Sequence, residues 1–287
     1  MEKAARLLYD YPKEVSALKY LQNLHTHTIY DDGKDTPEAL VLTAIEKGFS
    51  SLGFSGHAHY PPYADSMSRE NTLLYRKEIQ RLKEVYKDKL TIYCGLEMEM
   101  VSDNDLSGYD YLIGSVHFIT CDGKPIPIDH DASILPPAIA RYFGGDGLAY
   151  AKAYYNTLAQ LPKYGSFDIL GHFDLITKFS DQIDLFDRNA PEYLSAARDA
   201  AEALAGKIPY FEVNSGAIAR GYRQTPYPAL PLMGMLRELG FGAVITSDCH
   251  NKENLDLGFA LSAELLKKAG FTQQYILTDT GFQPISL

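Results

Sequence analysis

The chain has 287 residues, 46% of them apolar, and a formal charge of −10. That length and apolar share allow one sizeable core, and the acidic balance argues against nucleic acid or an anionic membrane surface as the main partner. Three scattered cysteines without metal-type spacing speak for a reducing compartment and no disulfide framework. Met1–Leu21 is charged throughout and no stretch is long enough for a membrane span, so a cytoplasmic location is expected.

Taken in chain order, the first element is a strand within Leu21–Gly33. Side chains alternate across a strand, so His25 and His27 emerge on one face. The turn at Asp31-Asp32-Gly33 can bring a carboxylate back beside them, and imidazole with carboxylate suits a divalent metal. A half-buried strand that merely carries two histidines is the plain alternative, so further ligands are needed. Thr36-Pro37-Glu38 then opens a helix with Leu40, Ala44 and Ile45 inward, and Gly48 stops it. Ser51–His57 is a short apolar strand ending in a histidine. A charged amphipathic helix over Asn71–Val85 follows. Strand Leu90–Leu96 runs into Glu97-Met98-Glu99, and strand Tyr109–Val116 ends at His117. Phe118–Gly147, rich in Gly and Pro, reads as a long loop with at most a helical turn, of the kind that covers a site. Beyond it come helix Leu148–Leu161, strand Phe167–Leu170 ending at His172, helix Pro191–Leu204 and strand Tyr210–Val213. Helix Ala229–Leu239, strand Ala243–Thr246 ending at Asp248 and His250, helix Leu255–Ala269 and a strand-rich tail over Tyr275–Leu287 complete the chain.

Strand and helix alternate about seven times, which predicts a parallel sheet. No glycine-rich phosphate fingerprint, internal repeat or linker interrupts it, so one domain over residues 1–287 is expected. Of eight histidines, only His59 and His130 lie away from strand ends. His25, His27, His57, Glu97, His117, His172, Asp248 and His250 all stand where strands finish. In a parallel α/β barrel those ends meet at one face, so a closed barrel explains the pattern better than an open doubly wound sheet and predicts a multinuclear metal site.

The ordered set His25-Thr26-His27, His57, Glu97, His117, His172, Asp248-Cys249-His250 resembles the PHP superfamily (polymerase and histidinol phosphatase) over nearly the whole chain. The resemblance implies a distorted (βα)7 barrel with two to three divalent ions (zinc, iron or manganese) at the C-terminal ends of the strands. It allots His25, His27, Glu97 and Asp248 to one ion, a bridging Glu97 with His117 and His172 to a second, and Asp32, His57 and His250 to a third. Glu97, Asp248 and His250 then carry the catalysis. Many relatives have a histidine where this chain has Asp31-Asp32-Gly33; Asp32 matches the Ser-Asp-Gly variant of the motif and Asp31 competes with it. Relatives also often carry an acid before the second-strand histidine, where Gly56 stands. Tyr111–Ile119, Leu170–Asp174, Glu212–Gly216, Arg220–Arg223 and Tyr275–Thr278 resemble the histidinol-phosphate phosphatase branch.

Three divalent ions would outweigh three carboxylate ligands by about three charges, which suits a phosphate monoester dianion inside an acidic chain. The implied reaction is in-line hydrolysis of histidinol phosphate to histidinol and phosphate. Arg220 is the candidate to grip phosphate through its two-pronged guanidinium, with Arg223 second; solvated loop charges are the alternative. Glu212 and Asn214 are placed to orient ligands or meet an ammonium. His130 is placed to reach the imidazole or protonate the leaving alkoxide, unless it is an ordinary exposed histidine. His59 is expected at the surface or just behind the ligands. Tyr30 and Asp174 lie near the site without a role, and Glu99, further into the loop than Glu97, is expected to matter little. A phosphotyrosine-protein phosphatase, a nuclease-like enzyme or a degenerate metal-binding module are the competing readings. Oligomeric state leaves no signature in the sequence.

Overall fold

The computed structural model describes residues 21–100 and 104–287; the charged stretch over residues 1–20 lies outside them. Strand β1 (Gln22–Asn23) leads through an extended run carrying His25 and His27 to α1 (Pro37–Glu46). The Thr36 hydroxyl accepts from the Ala39 amide at 3.2 Å and Pro37 opens the first turn, where no donor is lost. β2 (Ser51–Phe54), α2 (Arg69–Tyr86), β3 (Thr91–Glu99) and β4 (Tyr111–Ser115) follow. β3 extends past its expected end, so Glu97 sits inside a paired strand, opposite Ile113.

Phe118–Gly147 departs from expectation. Instead of a loop it forms a hairpin, β5 (Phe118–Cys121) with β6 (Lys124–Pro127), and a helix, α3 (Leu135–Phe143). Asp122 and Gly123 both take positive φ, 52° and 74°, which closes the two-residue turn. Pro136 and Pro137 stand in the first turn of α3, where proline is tolerated. The chain continues through α4 (Gly147–Leu158), β7 (Ile169–Leu170), α5 (Pro191–Leu204), β8 (Tyr210–Asn214), α6 (Gly216–Ala219), α7 (Leu230–Glu238), β9 (Gly242–Thr246) and α8 (Phe259–Lys268). The last helix starts later than expected because Asn251 caps a separate short turn and Gly258, at φ 79°, breaks the chain before it.

Seven strands pair in the order β1-β2-β3-β4-β7-β8-β9, every pair parallel. The ends of the sheet meet through a parallel bridge between Thr26 and Cys249, with the His27 amide donating to the Cys249 carbonyl at 2.8 Å and the Cys249 amide to the His25 carbonyl at 3.1 Å. The result is a nearly closed seven-strand barrel. Leu24, Tyr93, Tyr111, Ile113, Ile169 and Val244 form a core cluster of their own, apart from the larger one between helices and sheet. Tyr111 fits because two facing residues lack side chains: a Cβ at Gly95 would lie 2.3 Å from its ring and one at Gly53 2.5 Å from its hydroxyl. The expected tail strands are β10 (Gln273–Thr278) and β11 (Gly281–Ser286), an antiparallel hairpin whose Leu277 joins the same cluster.

Candidate metal centre

At the C-terminal ends of the strands, Glu97 is the hub. Its side chain is 1% exposed, and its two oxygens face two different sets of imidazoles. Oε2 lies 3.1 Å from His25 Nε2, 3.6 Å from His27 Nε2 and 2.9 Å from His57 Nδ1. Oε1 lies 3.0 Å from His172 Nε2 and 3.5 Å from His117 Nε2, and accepts from the Ser115 hydroxyl at 2.7 Å. Asp248 enters from β9 with φ 48°, a costly conformation for a residue with a side chain, of the kind that collects at functional sites. Its Oδ1 lies 3.3 Å from His27 Nε2 and 3.8 Å from His25 Nε2. On the outer side, Asp32 lies 3.0 Å from His250 Nε2, 3.9 Å from His57 Nε2 and 3.6 Å from His27 Nδ1.

Each innermost imidazole is held from behind. His25 Nδ1 meets Glu212 at 2.8 Å, His27 Nδ1 meets Asp31 at 2.6 Å, and His117 Nδ1 meets Glu99 at 3.0 Å. An ionised carboxylate only accepts, so Nδ1 carries a proton in all three rings, and Nε2 is the nitrogen that a cation would take once its own proton leaves. Those atoms converge, yet His25 Nε2, His27 Nε2 and Glu97 Oε2 are buried without a hydrogen-bond partner among the described residues. Buried polar atoms are otherwise almost always satisfied, so converging orphans of this chemistry fit a cation. The residues group as His25, His27 and Glu97; as His57, Glu97 and His117; and as His27, Asp32, His57 and His250, each able to hold an ion.

The electrostatics agree. Burial would raise the Glu97 carboxyl, but His25, His57 and His117 outweigh it and hold it well below the usual range. Burial opposes a charged His27, but Asp31 and Asp248 raise it to about 10. Against the same burial, Glu97 and Glu99 raise His117 to about 9. Asp248 is likewise held low, against its burial, by Arg220 and His25. His250 goes down, through burial and then the neighbouring His27 and Arg220 charges.

A cavity of about 140 Å³ opens onto this cluster, with Asp32, His57, Glu97, His117, His172, Asp248 and His250 in its lining. Arg220 reaches it, 30% exposed, donating to Asp248 Oδ2 at 3.0 Å and lying 3.0 Å from His250 Nδ1. His130 lines it too and is exposed. Arg223 does not. Its side chain is 1% exposed, donates to Thr177 Oγ1 at 2.6 Å, lies 3.7 Å from Asp174 and stacks over the Tyr227 ring, so a grip on phosphate there is corrected to a buried structural pair. That pairing also accounts for Asp174. Glu212 accepts from the His172 amide at 2.7 Å as well as holding His25, so it orients those two residues and has no face for an ammonium. Asn214 donates to Glu212 at 2.8 Å. His59 binds the Met67 carbonyl at 2.8 Å, outside the cavity lining, and the Tyr30 carbonyl accepts from Asn71 at 2.8 Å.

Sequence reasoning missed four contributors. Glu99, expected to matter little, is 3% exposed and accepts from both the amide (2.8 Å) and Nδ1 of His117. Lys178 lines the cavity, donating to the Asp129 carbonyl at 2.6 Å; six residues past His172, it had no motif to announce it. Tyr63 stacks on His117 at 5.4 Å and reaches His57 Nε2 at 3.4 Å. Asp129, beside His130, faces the same space.

Comparison with known proteins agrees with this geometry. The PHP domain family model matches residues 23–216. A Schizosaccharomyces pombe protein named "Probable histidinol-phosphatase" is 26% identical over 265 residues, covering 82% of this chain and 81% of that protein. The histidinol-phosphatase of Bacillus subtilis is 25% identical over 268 residues, covering 85% and 97%. Among solved structures, the histidinol phosphate phosphatase of Lactococcus lactis, complexed with zinc, L-histidinol and phosphate, superposes with a TM-score of 0.69 at 21% identity, over 91% of this chain and 98% of that one.

Proposed function

The chain belongs to the PHP domain family, and from that premise we propose that it is a metal-dependent phosphomonoesterase hydrolysing L-histidinol phosphate to L-histidinol and inorganic phosphate, a step of histidine biosynthesis. One observation carries the reading: Glu97 presents each carboxylate oxygen to a separate set of imidazole nitrogens. That is the arrangement a carboxylate shared by two cations requires. His25, His27, Glu97 and Asp248 would hold one divalent ion, Glu97, His117 and His172 a second, and Asp32, His57 and His250 a third. Bound there, zinc, iron or manganese would acidify water towards neutrality and clamp the attacking and departing oxygens of an in-line displacement.

The chain's own residues then bind and orient. Arg220 offers two parallel donors to phosphate oxygens, and Lys178 adds a second cation on the same cavity. Asp65 and Asp129, with the rings of Tyr63 and Tyr222, suit an ammonium and an imidazole. His130 is the candidate to protonate the departing alkoxide. Asp129 and His130, just past hairpin β5–β6, line the cavity, whose volume of about 140 Å³ supports a small-molecule substrate over a protein or nucleic acid. No helix among the described residues is long and apolar enough to cross a membrane. A cytoplasmic enzyme with one domain over residues 1–287 goes with this reading.

Turnover of a phosphomonoester panel tests it, alongside elemental analysis of the purified protein. Histidinol phosphate should give the highest kcat/KM. A phosphotyrosine peptide or an oligonucleotide turned over faster would sink the substrate assignment, and a protein without bound metal would sink the mechanism as well.

A further inference from the structure

Two adjacent acids stand in the first turn, and they face opposite ways. Asp32 is a quarter exposed and looks out towards His250 and His57. The Asp31 side chain is fully buried and looks back into the barrel rim. Its Oδ2 receives the His27 Nδ1 proton at 2.6 Å and the His57 amide at 3.0 Å, while Oδ1 receives the Thr28 amide at 2.8 Å. We propose that Asp31 is a positioning residue that clamps two metal ligands, His27 on the first strand and His57 on the second, and keeps the His27 lone pair on Nε2. This rests on reading the cluster as a metal centre.

Three features of the geometry make the assignment. The first is the tautomer: with Nδ1–H given to Asp31, Nε2 is left 3.3 Å from Asp248 Oδ1 and 3.6 Å from Glu97 Oε2, without a hydrogen bond of its own. The second is reach. One carboxylate oxygen touches the ring of one ligand and the backbone of the next, so it sets the spacing between neighbouring strands where they carry imidazoles. The third is the room made for it. Gly56 has no positive φ to explain a glycine there, but a Cβ would stand 3.2–3.3 Å from all three Asp31 carboxylate atoms. The missing side chain at 56 is the space the carboxylate occupies.

The three contacts also exclude an amide substitute. Each Asp31 oxygen faces a backbone N–H, so an amide must set its NH2 against the Thr28 donor or against the His57 donor. Zinc affinity of the full chain, measured by competition with a chromophoric chelator, tests this together with ¹⁵N NMR of the His27 ring in the zinc-saturated protein. Asp31→Asn should bind zinc about 10–100-fold more weakly, and the His27 nitrogens should shift away from the Nδ1–H tautomer. Gly56→Ala, which crowds the carboxylate without removing it, should weaken zinc binding in the same direction by less. The double variant Asp31→Ser with Gly56→Asp should recover part of the loss by supplying a carboxylate from the other strand. Unchanged zinc affinity and an unchanged His27 tautomer in Asp31→Asn would overturn the proposal. Should that variant not fold, wild-type zinc affinity in Gly56→Ala overturns it instead. A wild-type chain that takes up no zinc would overturn the metal-centre reading itself, whereas a failure confined to the variants leaves that reading standing.

Discussion

The two ends of the barrel are built from the same strands and obey opposite rules. At the N-terminal end, hairpin β10–β11 brings Leu277 into the cluster of Leu24, Tyr111 and Val244, and the Tyr275 and Phe282 rings pack tilted on Tyr210 at 4.8 and 4.4 Å. Polar groups there are satisfied: the Gln22 amide donates to the Leu277 carbonyl at 2.8 Å and accepts from the Leu277 amide at 2.7 Å. At the C-terminal end, buried imidazoles and carboxylates converge with polar atoms that nothing among the described residues answers. Closed, satisfied polar groups and apolar area stabilise one end; the other carries groups that a cation must satisfy. The barrel therefore divides its work by end, and each prediction below tries to blur or sharpen that division.

The largest effect should come from the shared carboxylate. Glu97→Gln should lower kcat/KM by at least about 10³-fold, since the groups it joins act as a unit, and the barrel should stay folded by circular dichroism. Near wild-type turnover with full metal content would refute the bridging role. At the opposite end, Leu277→Ala should cost about 2–5 kcal/mol of stability and leave kcat/KM of the folded protein within about twofold. A parallel fall in activity would mean the ends are coupled. Next comes Arg220→Ala, which should keep its metals, lose at least about tenfold in kcat/KM for histidinol phosphate and bind inorganic phosphate more weakly, a change of about 2–4 kcal/mol if the pair is buried. Arg220→Lys should recover only part, because an ammonium cannot make two parallel bonds. Unchanged phosphate inhibition would place the grip elsewhere.

A smaller loss is expected from Glu99→Gln, about 10–100-fold in metal affinity, because the carboxylate fixes the His117 ring. Wild-type metal content at limiting zinc would restore the expectation that Glu99 is dispensable. The gentlest test is pH. His27 and His117 are raised from 6.5 to about 10 and about 9 in the metal-free protein. A raised histidine stabilises the fold fully below 6.5 and loses that contribution as pH climbs through its folded value. The metal-free protein should accordingly lose thermal stability between about pH 7 and 10. Zinc uptake at pH 7 should release protons and tighten as pH rises towards 9, and calorimetry in buffers of different ionisation enthalpy checks it. Uptake without proton release would mean the imidazoles are already neutral.

The sequence by itself determined the alternation of strands and helices, the barrel, and the ring of His25, His27, His57, Glu97, His117, His172, Asp248 and His250. It could do so because periodicity and strand ends are local: a histidine closing an apolar run is visible without knowing what faces it. Thr36 and Pro37 announced α1 for the same reason. Phe118–Gly147 departs from its sequence pattern because Pro136 and Pro137 signal both a break and a helix start, and only their position in α3 decides between them. What tertiary structure alone decided is which acids face the cavity and which hold the imidazoles from behind. Asp31 and Asp32 are neighbours of one type, and Glu97 and Glu99 leave their strand on one face. Arg220 and Arg223 share one short run, yet one reaches the cavity and the other is buried against Asp174. Such choices turn on partners distant in the chain, Glu99 with His117 18 residues away and His25 with Glu212 187 residues away. Distances of that kind exist only once the strands have closed into a barrel.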